Sequence, residues 1–139
     1  MQYKEIHKDL FTLDNSYHLA HCISSDAKMG AGIAVQFKKR FPHPKEVNAD
    51  VSTLMIGSAV HMGRVFHLIT KKNFYGKPTY ASVKDSLIDM REQALEKYIP
   101  RIAMPKIGSG LDRLSWDKVS ELIQEVFQDT DIEILICKY

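Results

Sequence analysis

Residues 104–116 read MPKIGSGLDRLSW, from Met104 to Trp116. An apolar run over Arg101 to Ile107 meets a Gly-Ser-Gly turn, the charged pair Asp112-Arg113 follows, and a helix starts at once. A strand that hands over to a helix through two glycines and a carboxylate is the junction on which open α/β folds build ligand sites. Upstream, KPTYASVKDSLIDMREQALEKY places Val83, Leu87, Met90 and Ala94 on one face, with Pro78-Thr79 at its start, and predicts a helix. Downstream, SWDKVSELIQEVFQD carries Val119, Leu122, Ile123, Val126 and Phe127 at helical spacing, with Ser115 as the expected N-cap. IEILICKY is then a closing strand.

The N-terminal half follows the same alternation. QYKEI and SYHLAHCIS read as strands, and GAGIAVQFKKRF as a helix through Ala34, Phe37 and Phe41. PHPKEVNADVS, residues 42–52, is polar and punctuated by proline, hence a loop. TLMIGSAVH and RVFHLIT flank Met62-Gly63 as a hairpin. The order β-β-α-β-β-α-β-α-β predicts a mixed sheet with helices on both faces, in a single domain over 1–139.

Composition narrows the function classes. The chain has 139 residues, 45% hydrophobic and 26% charged, so one domain can bury a real core. A net charge of +2 gives no argument for a nucleic-acid surface or an anionic membrane. No apolar stretch reaches the length of a membrane span, and MQYKEIHKDLF is not a signal peptide, so the expected location is cytoplasmic. Cys22 and Cys137 lie in different apolar segments and read as buried free thiols in a reducing compartment. The six histidines include no pair at helical ligand spacing, so no metal is expected. Monomer is the expected state, because no large amphipathic surface asks for a partner.

Two glycine clusters, Gly30-Ala31-Gly32 and Gly108-Ser109-Gly110, stand at strand-to-helix junctions. Glycine lets backbone amides approach a ligand, and a helix N-terminus behind them suits phosphate. Neither cluster is a Walker A motif or a GxGxxG fingerprint; each alone reads as a tight turn, and only the two at equivalent junctions make phosphate contact an equal alternative. Asp112 reads as a helix-terminal charge, as a surface partner of Arg113, or as a general base beside a sugar diphosphate. Lys71-Lys72 at the end of VFHLIT is either a solvated pair or a nucleophile with a neighbouring cation. Asp9, in HKDLF, either caps a turn or accepts a proton from an adenine amino group. Lys38-Lys39-Arg40 is a solvated face that adds attraction for an anion, and Trp116, Tyr75 and Tyr80 are packing residues or stacking platforms.

Taken together, LAHCISSDAKMGAGIAVQFKKRF, LITKK, KPTY and MPKIGSGLDRLSWDKV resemble the macrodomain family, and within it the terminal ADP-ribose protein glycohydrolases. The resemblance covers nearly the whole chain, except the loop around Pro42 to Val51. It implies a three-layer α/β/α sandwich around a central mixed sheet, and a hydrolase of the glycohydrolase or O-acyl-ADP-ribose deacylase type. It implies ADP-ribose and ADP-ribosylated proteins as partners, ADP-ribosylated nucleic acid as a further substrate class, and no cofactor. Carried over by motif, Asp9 and Leu10 meet the adenine, and Ser24 and Gly32 follow the diphosphate and distal ribose. Lys106, Ile107, Gly108, Ser109, Gly110 and Leu111 form the second phosphate loop, and Tyr139 closes over the ligand. Lys71 attacks the anomeric carbon of the distal ribose, and Asp112 resolves the covalent intermediate.

Two positions depart from the family pattern. Lys8 precedes Asp9 where the family usually has glycine, which alters the adenine-side turn. Ser109 stands where relatives can have cysteine, a change that backbone binding tolerates. The competing readings are a DNA-base ADP-ribose hydrolase, a phosphatase acting on ADP-ribose-1''-phosphate, a non-enzymatic reader of ADP-ribose, and a metabolite- or RNA-binding domain unrelated to ADP-ribose. The presence of both Lys71 and Asp112 argues against a reader.

Overall fold

The computed structural model describes residues 1–44 and 54–139. Among the described residues, six strands and three α-helices follow one another as β1 (Gln2–His7), β2 (His18–Ser24), α1 (Ile33–Arg40), β3 (Ser58–Met62), β4 (Val65–Lys71), α2 (Tyr80–Glu96), β5 (Arg101–Met104), α3 (Trp116–Phe127) and β6 (Glu133–Lys138). They form one six-stranded sheet in the order β1-β6-β5-β2-β4-β3. Only the β3–β4 hairpin pairs antiparallel; the other neighbours are parallel. The carboxyl ends of β2, β4 and β5 therefore open on the same side, where their loops meet.

The sheet is covered on both faces. Val83, Leu87, Met90 and Ala94 of α2 pack with Val119, Ile123, Val126 and Phe127 of α3 over Phe66, Leu68, Ile102, Met104, Ile134 and Ile136. Phe37 of α1 packs on the other face with Leu10, Leu19, Ile69, Ala103 and Leu135. The expected mixed sandwich is therefore the observed one, with two helices on one side and α1 on the other. The edge strand β3 does not stay open. Its Ala59 N–H donates to Asp89 Oδ2 and its carbonyl accepts from Gln93 Nε2, both at 2.8 Å, so α2 occupies hydrogen-bonding groups that could pair with another chain.

Local chemistry explains the helix starts. Thr79 caps α2 through its side chain, and Ser82 returns the bond to the Thr79 amide, which closes a capping box. Ser115 occupies the N-cap position of α3, but its side chain makes no capping bond; its N–H donates to the Tyr80 hydroxyl at 2.9 Å. Two strands are shorter than their apolar runs. β3 starts at Ser58, because Gly57 with φ +89 and the Ser58 N–H bonded to Met55 O form a turn before it. β5 stops at Met104, because Pro105 offers no N–H to the ladder and Ile107 N–H turns back to Pro105 O at 2.7 Å. The loop expected over 42–52 lies mostly outside the described residues. Among the described residues, no helix is long and apolar enough to cross a membrane.

Candidate active site

A cavity of about 900 Å³ opens at the carboxyl ends of β2, β4 and β5. That volume lies toward the upper end of small-molecule sites, about 300–1,000 Å³. Its walls are the loop after β2, the loop after β4 and the loop after β5.

Lys71 reaches this cavity through an irregularity in the sheet. β2 and β4 run in register to Ile23↔Ile69, and then Ser24 pairs with Lys71, so Thr70 is an extra residue on β4. A bulge of this kind re-aims the side chains beyond it. It is tied down on both sides: Ser82 Oγ donates to the Thr70 carbonyl at 2.6 Å, and the Ser25 N–H donates to the Lys71 carbonyl at 2.8 Å. The re-aimed Lys71 Nζ donates to Asp112 Oδ1 at 2.7 Å, and the two side chains are only 15% and 16% exposed. Residues 41 apart in sequence thus form one pair inside the cavity.

The glycines divide by what demands them. Gly108 holds φ +72, and a Cβ there would lie 3.2 Å from Leu114 Cδ1, so the turn itself requires glycine. Gly30 and Gly110 line the cavity as well, yet a Cβ on either would meet nothing within 4 Å. The packing of the fold does not require glycine at these two positions. A Cβ on Gly32 would lie 3.5 Å from Leu111 Cδ1, so the two glycine loops nearly touch across the cavity. Ala27, Met29 and Arg113, in the same two loops, are non-glycine residues held at positive φ. Such strain gathers at functional sites.

Of the residues that the sequence singles out, the cavity brings together Ser24, Gly32, Lys71, Lys106, Ile107, Gly108, Gly110, Leu111 and Asp112. Asp9, Leu10, Ser109 and Tyr139 do not line it. Asp9 caps a 3-10 turn by accepting from Phe11 N–H at 3.0 Å, Leu10 is buried, and the Tyr139 side chain stands in solvent. Ser109 Oγ bonds back to Lys106 O at 2.7 Å. Among the aromatic candidates only Tyr75 lines the cavity, whereas Tyr80 receives the Ser115 amide and Trp116 Nε1 donates to Glu5. Lys38 and Lys39 are solvated, and the Arg40 guanidinium lies 4.7 Å from the Phe11 ring centre.

Two features escape sequence reading. Asp26 joins two loops: it accepts from Ser24 Oγ and Lys28 N–H on its own loop and from Phe74 N–H, at 3.0 Å, on the loop after β4. Burial opposes its charge, but the Ser24 hydroxyl and the two amides win and hold the carboxyl below the usual range. His21 and His67 face each other on neighbouring strands, Nε2 to Nδ1 at 2.8 Å, and His67 Nε2 lies 3.2 Å from Pro42 O. Burial keeps both neutral, with His67 pushed down to about 4. Cys22, expected as a free thiol, is one, and burial, helped by the Asp112 charge, pushes it up to about 12. Among the described residues no three metal-ligating side chains cluster.

No protein-family model matches the chain. Comparison with curated proteins finds the human "ADP-ribose glycohydrolase OARD1", 45% identical over 130 residues that cover 92% of this chain and 86% of that one. The chain belongs to the macrodomain family, in its branch of terminal ADP-ribose protein glycohydrolases. The "DNA ADP-ribosyl glycohydrolase" of Mycobacterium tuberculosis is 26% identical over 130 residues, 85% of this macrodomain and 37% of that protein. The solved macrodomain of Mycobacterium tuberculosis DarG superposes with a TM-score of 0.86 at 26% identity, covering 98% of this chain and 97% of that one. The cavity of this macrodomain thus lies where open α/β sheets bind ligands, beyond the carboxyl ends of the strands.

Proposed function

We propose that this macrodomain binds ADP-ribose in the cavity and hydrolyses the bond between the distal ribose and a carboxylate, in ADP-ribosylated glutamate or aspartate or in O-acyl-ADP-ribose. The observation that carries the reading is the Lys71–Asp112 pair at 2.7 Å inside a cavity walled by two glycine loops. The 45%-identical human relative bears the name of an ADP-ribose glycohydrolase, which points the same way.

In this reading the Gly30 to Gly32 and Gly108 to Gly110 amides hold the diphosphate, with Ser24, Lys106, Ile107 and Leu111 around it. Asp9 and Leu10 serve the adenine end, and Tyr139 folds over the bound ligand. Lys71 first passes one proton to Asp112, which releases it to solvent. The neutral amine then attacks the anomeric carbon. A C–N bond forms, the C–O bond to the acceptor breaks, and the electron pair leaves with the carboxylate. Water next attacks the same carbon, Asp112 takes its proton, and the C–N pair returns to Lys71. The proton on Asp112 moves back to Lys71 and restores the ion pair. Overall, ester and water become carboxylate, a proton and free ADP-ribose. A carboxylate is a good leaving group, so little acid catalysis is needed, and positioning with a covalent nucleophile supplies the acceleration.

A second reading, removal of ADP-ribose from a nucleic-acid base, draws on the cavity rim. Phe74 and Tyr75 are 57% and 72% exposed there, beside Lys72 and Lys77, which suits a stacked base near phosphates. The two readings separate when glutamate-ADP-ribosylated protein and ADP-ribosylated single-stranded DNA are offered at equal concentration. Faster release from the protein supports the carboxylate reading, and faster release from DNA replaces it. Tight ADP-ribose binding with release from neither makes the protein a reader.

A further inference from the structure

The loop after β4 sends two lysines to adjacent residues of the loop after β5. Lys71 Nζ donates to the Asp112 carboxylate at 2.7 Å, and Lys77 Nζ donates to the Leu111 carbonyl at 2.9 Å. The segment between the two lysines is itself braced. Phe74 N–H is held by Asp26 at 3.0 Å, and Gly76 N–H turns back to Asn73 O at 2.9 Å. Pro78 is buried, and Thr79 caps α2 directly after Lys77, so the root of the Lys77 side chain is anchored to a helix. Lys77 is therefore not a free surface cation. It is a tie from the start of α2 to the backbone carbonyl that precedes Asp112.

The two links have different fates during the reaction. Once the Lys71 nitrogen is bonded to the ribose it keeps at most two N–H donors, and Asp112 must also turn to the incoming water, so the Lys71–Asp112 bond no longer fixes the carboxylate by itself. That bond is also one of the ties between the two loops, and the loop holding Asp112 is strained, with Arg113 at φ +60 and Leu111 67% exposed. The Lys77–Leu111 bond uses no reacting atom and survives both half-reactions. We propose that Lys77 is a positioning residue: it holds Asp112 in register with the anomeric carbon while Lys71 is bonded to the ribose, so that water can resolve the adduct. This rests on the covalent reading of Lys71 given above. Its consequence is specific, because loss of the tie slows the second half-reaction more than the first.

The test compares wild type, Lys77→Met and Lys77→Arg on glutamate-ADP-ribosylated protein. Released ADP-ribose is followed over time, and the Lys71 adduct is measured by mass spectrometry of acid-quenched enzyme. Lys77→Met keeps the apolar stem and loses the donor. The expected result is turnover slowed about tenfold, a larger steady-state adduct, and ADP-ribose affinity and melting temperature both unchanged. Lys77→Arg restores turnover and lowers the adduct again, since it regains an N–H donor. Turnover within twofold of wild type in Lys77→Met overturns the proposal. So does slowed turnover without extra adduct, or with parallel losses of affinity and melting temperature, since either pattern is that of a merely structural lysine. The wild-type control separates the two readings. An adduct in wild type that Lys77→Met leaves unchanged overturns Lys77 alone, whereas release by wild type with no adduct overturns the covalent step and the Lys77 proposal with it.

Discussion

The two ends of the sheet each carry a cation paired with a carboxylate, and they use it differently. At the amino end, Arg101 donates to Glu133 at 2.7 Å, to Ser16 Oγ at 2.8 Å and to the Tyr17 hydroxyl at 2.8 Å, while its guanidinium lies 4.1 Å from the Tyr17 ring centre. Each guanidinium nitrogen has a partner, although the side chain is 36% exposed and could have used water. At the carboxyl end, the Lys71 side chain is only 15% exposed and, among the described residues, its three-donor ammonium has one partner, Asp112. The saturated pair borders a smaller cavity of about 360 Å³ at the amino ends of β5 and β6. The undersaturated pair lies against open space, between glycines that the fold does not demand. A partly desolvated charge with donors left over is less favourable for folding than a saturated pair, and it is tolerated where chemistry requires it.

The sharpest way to break this contrast is to fill the open space. Gly110→Val puts atoms where the structure has none and keeps an ordinary backbone, so the fold should survive. ADP-ribose affinity should fall by about a hundredfold, the scale of lost hydrogen bonds to a charged diphosphate. Unchanged affinity by calorimetry would place the ligand elsewhere.

The second test acts between the two ends. His67 is held neutral down to about 4, against 6.5 in the unfolded chain. The unfolded state therefore binds the extra proton between those values, so stability is complete above about pH 6.5 and is lost as pH falls toward 4. Between pH 7 and pH 5 the loss from this one group is roughly 2 kcal/mol. Urea unfolding should show the drop in wild type and a smaller one in His67→Asn. A flat stability profile over that range contradicts the burial of the pair.

The third change addresses the amino end and is the smallest. Arg101→Met removes the saturated cluster and should lower the melting temperature while ADP-ribose release per folded molecule stays at the wild-type rate. A fall in release without a fall in melting temperature would mean that the two ends are not independent.

Much of the fold is legible in the chain because its signals are local. The capping pattern Thr79 to Ser82 and the stripe Val83, Leu87, Met90 and Ala94 need only neighbouring residues to be read. The strand order is not local: β6 enters between β1 and β5, and nothing in IEILICKY says so. The site divides the same way. Lys71, Asp112 and the glycine clusters stand out as residue types at strand ends, and the motif resemblance names their roles. The bulge at Thr70 that turns Lys71 inward is set by tertiary contacts with Ser25 and Ser82 and leaves no mark in LITKK. Asp26 and Lys77 escape for a further reason. Across the cavity their partners are backbone groups, Phe74 N–H and Leu111 O, and a backbone group has no sequence signature.

The most direct test of the account is release of free ADP-ribose from glutamate-ADP-ribosylated protein by wild type, Lys71→Ala and Asp112→Ala, with ADP-ribose binding measured on the same three proteins. The account predicts release by wild type, a loss of at least about a thousandfold in both variants, and affinities that remain within the wild-type range. Full release by Lys71→Ala, with binding intact, would contradict it.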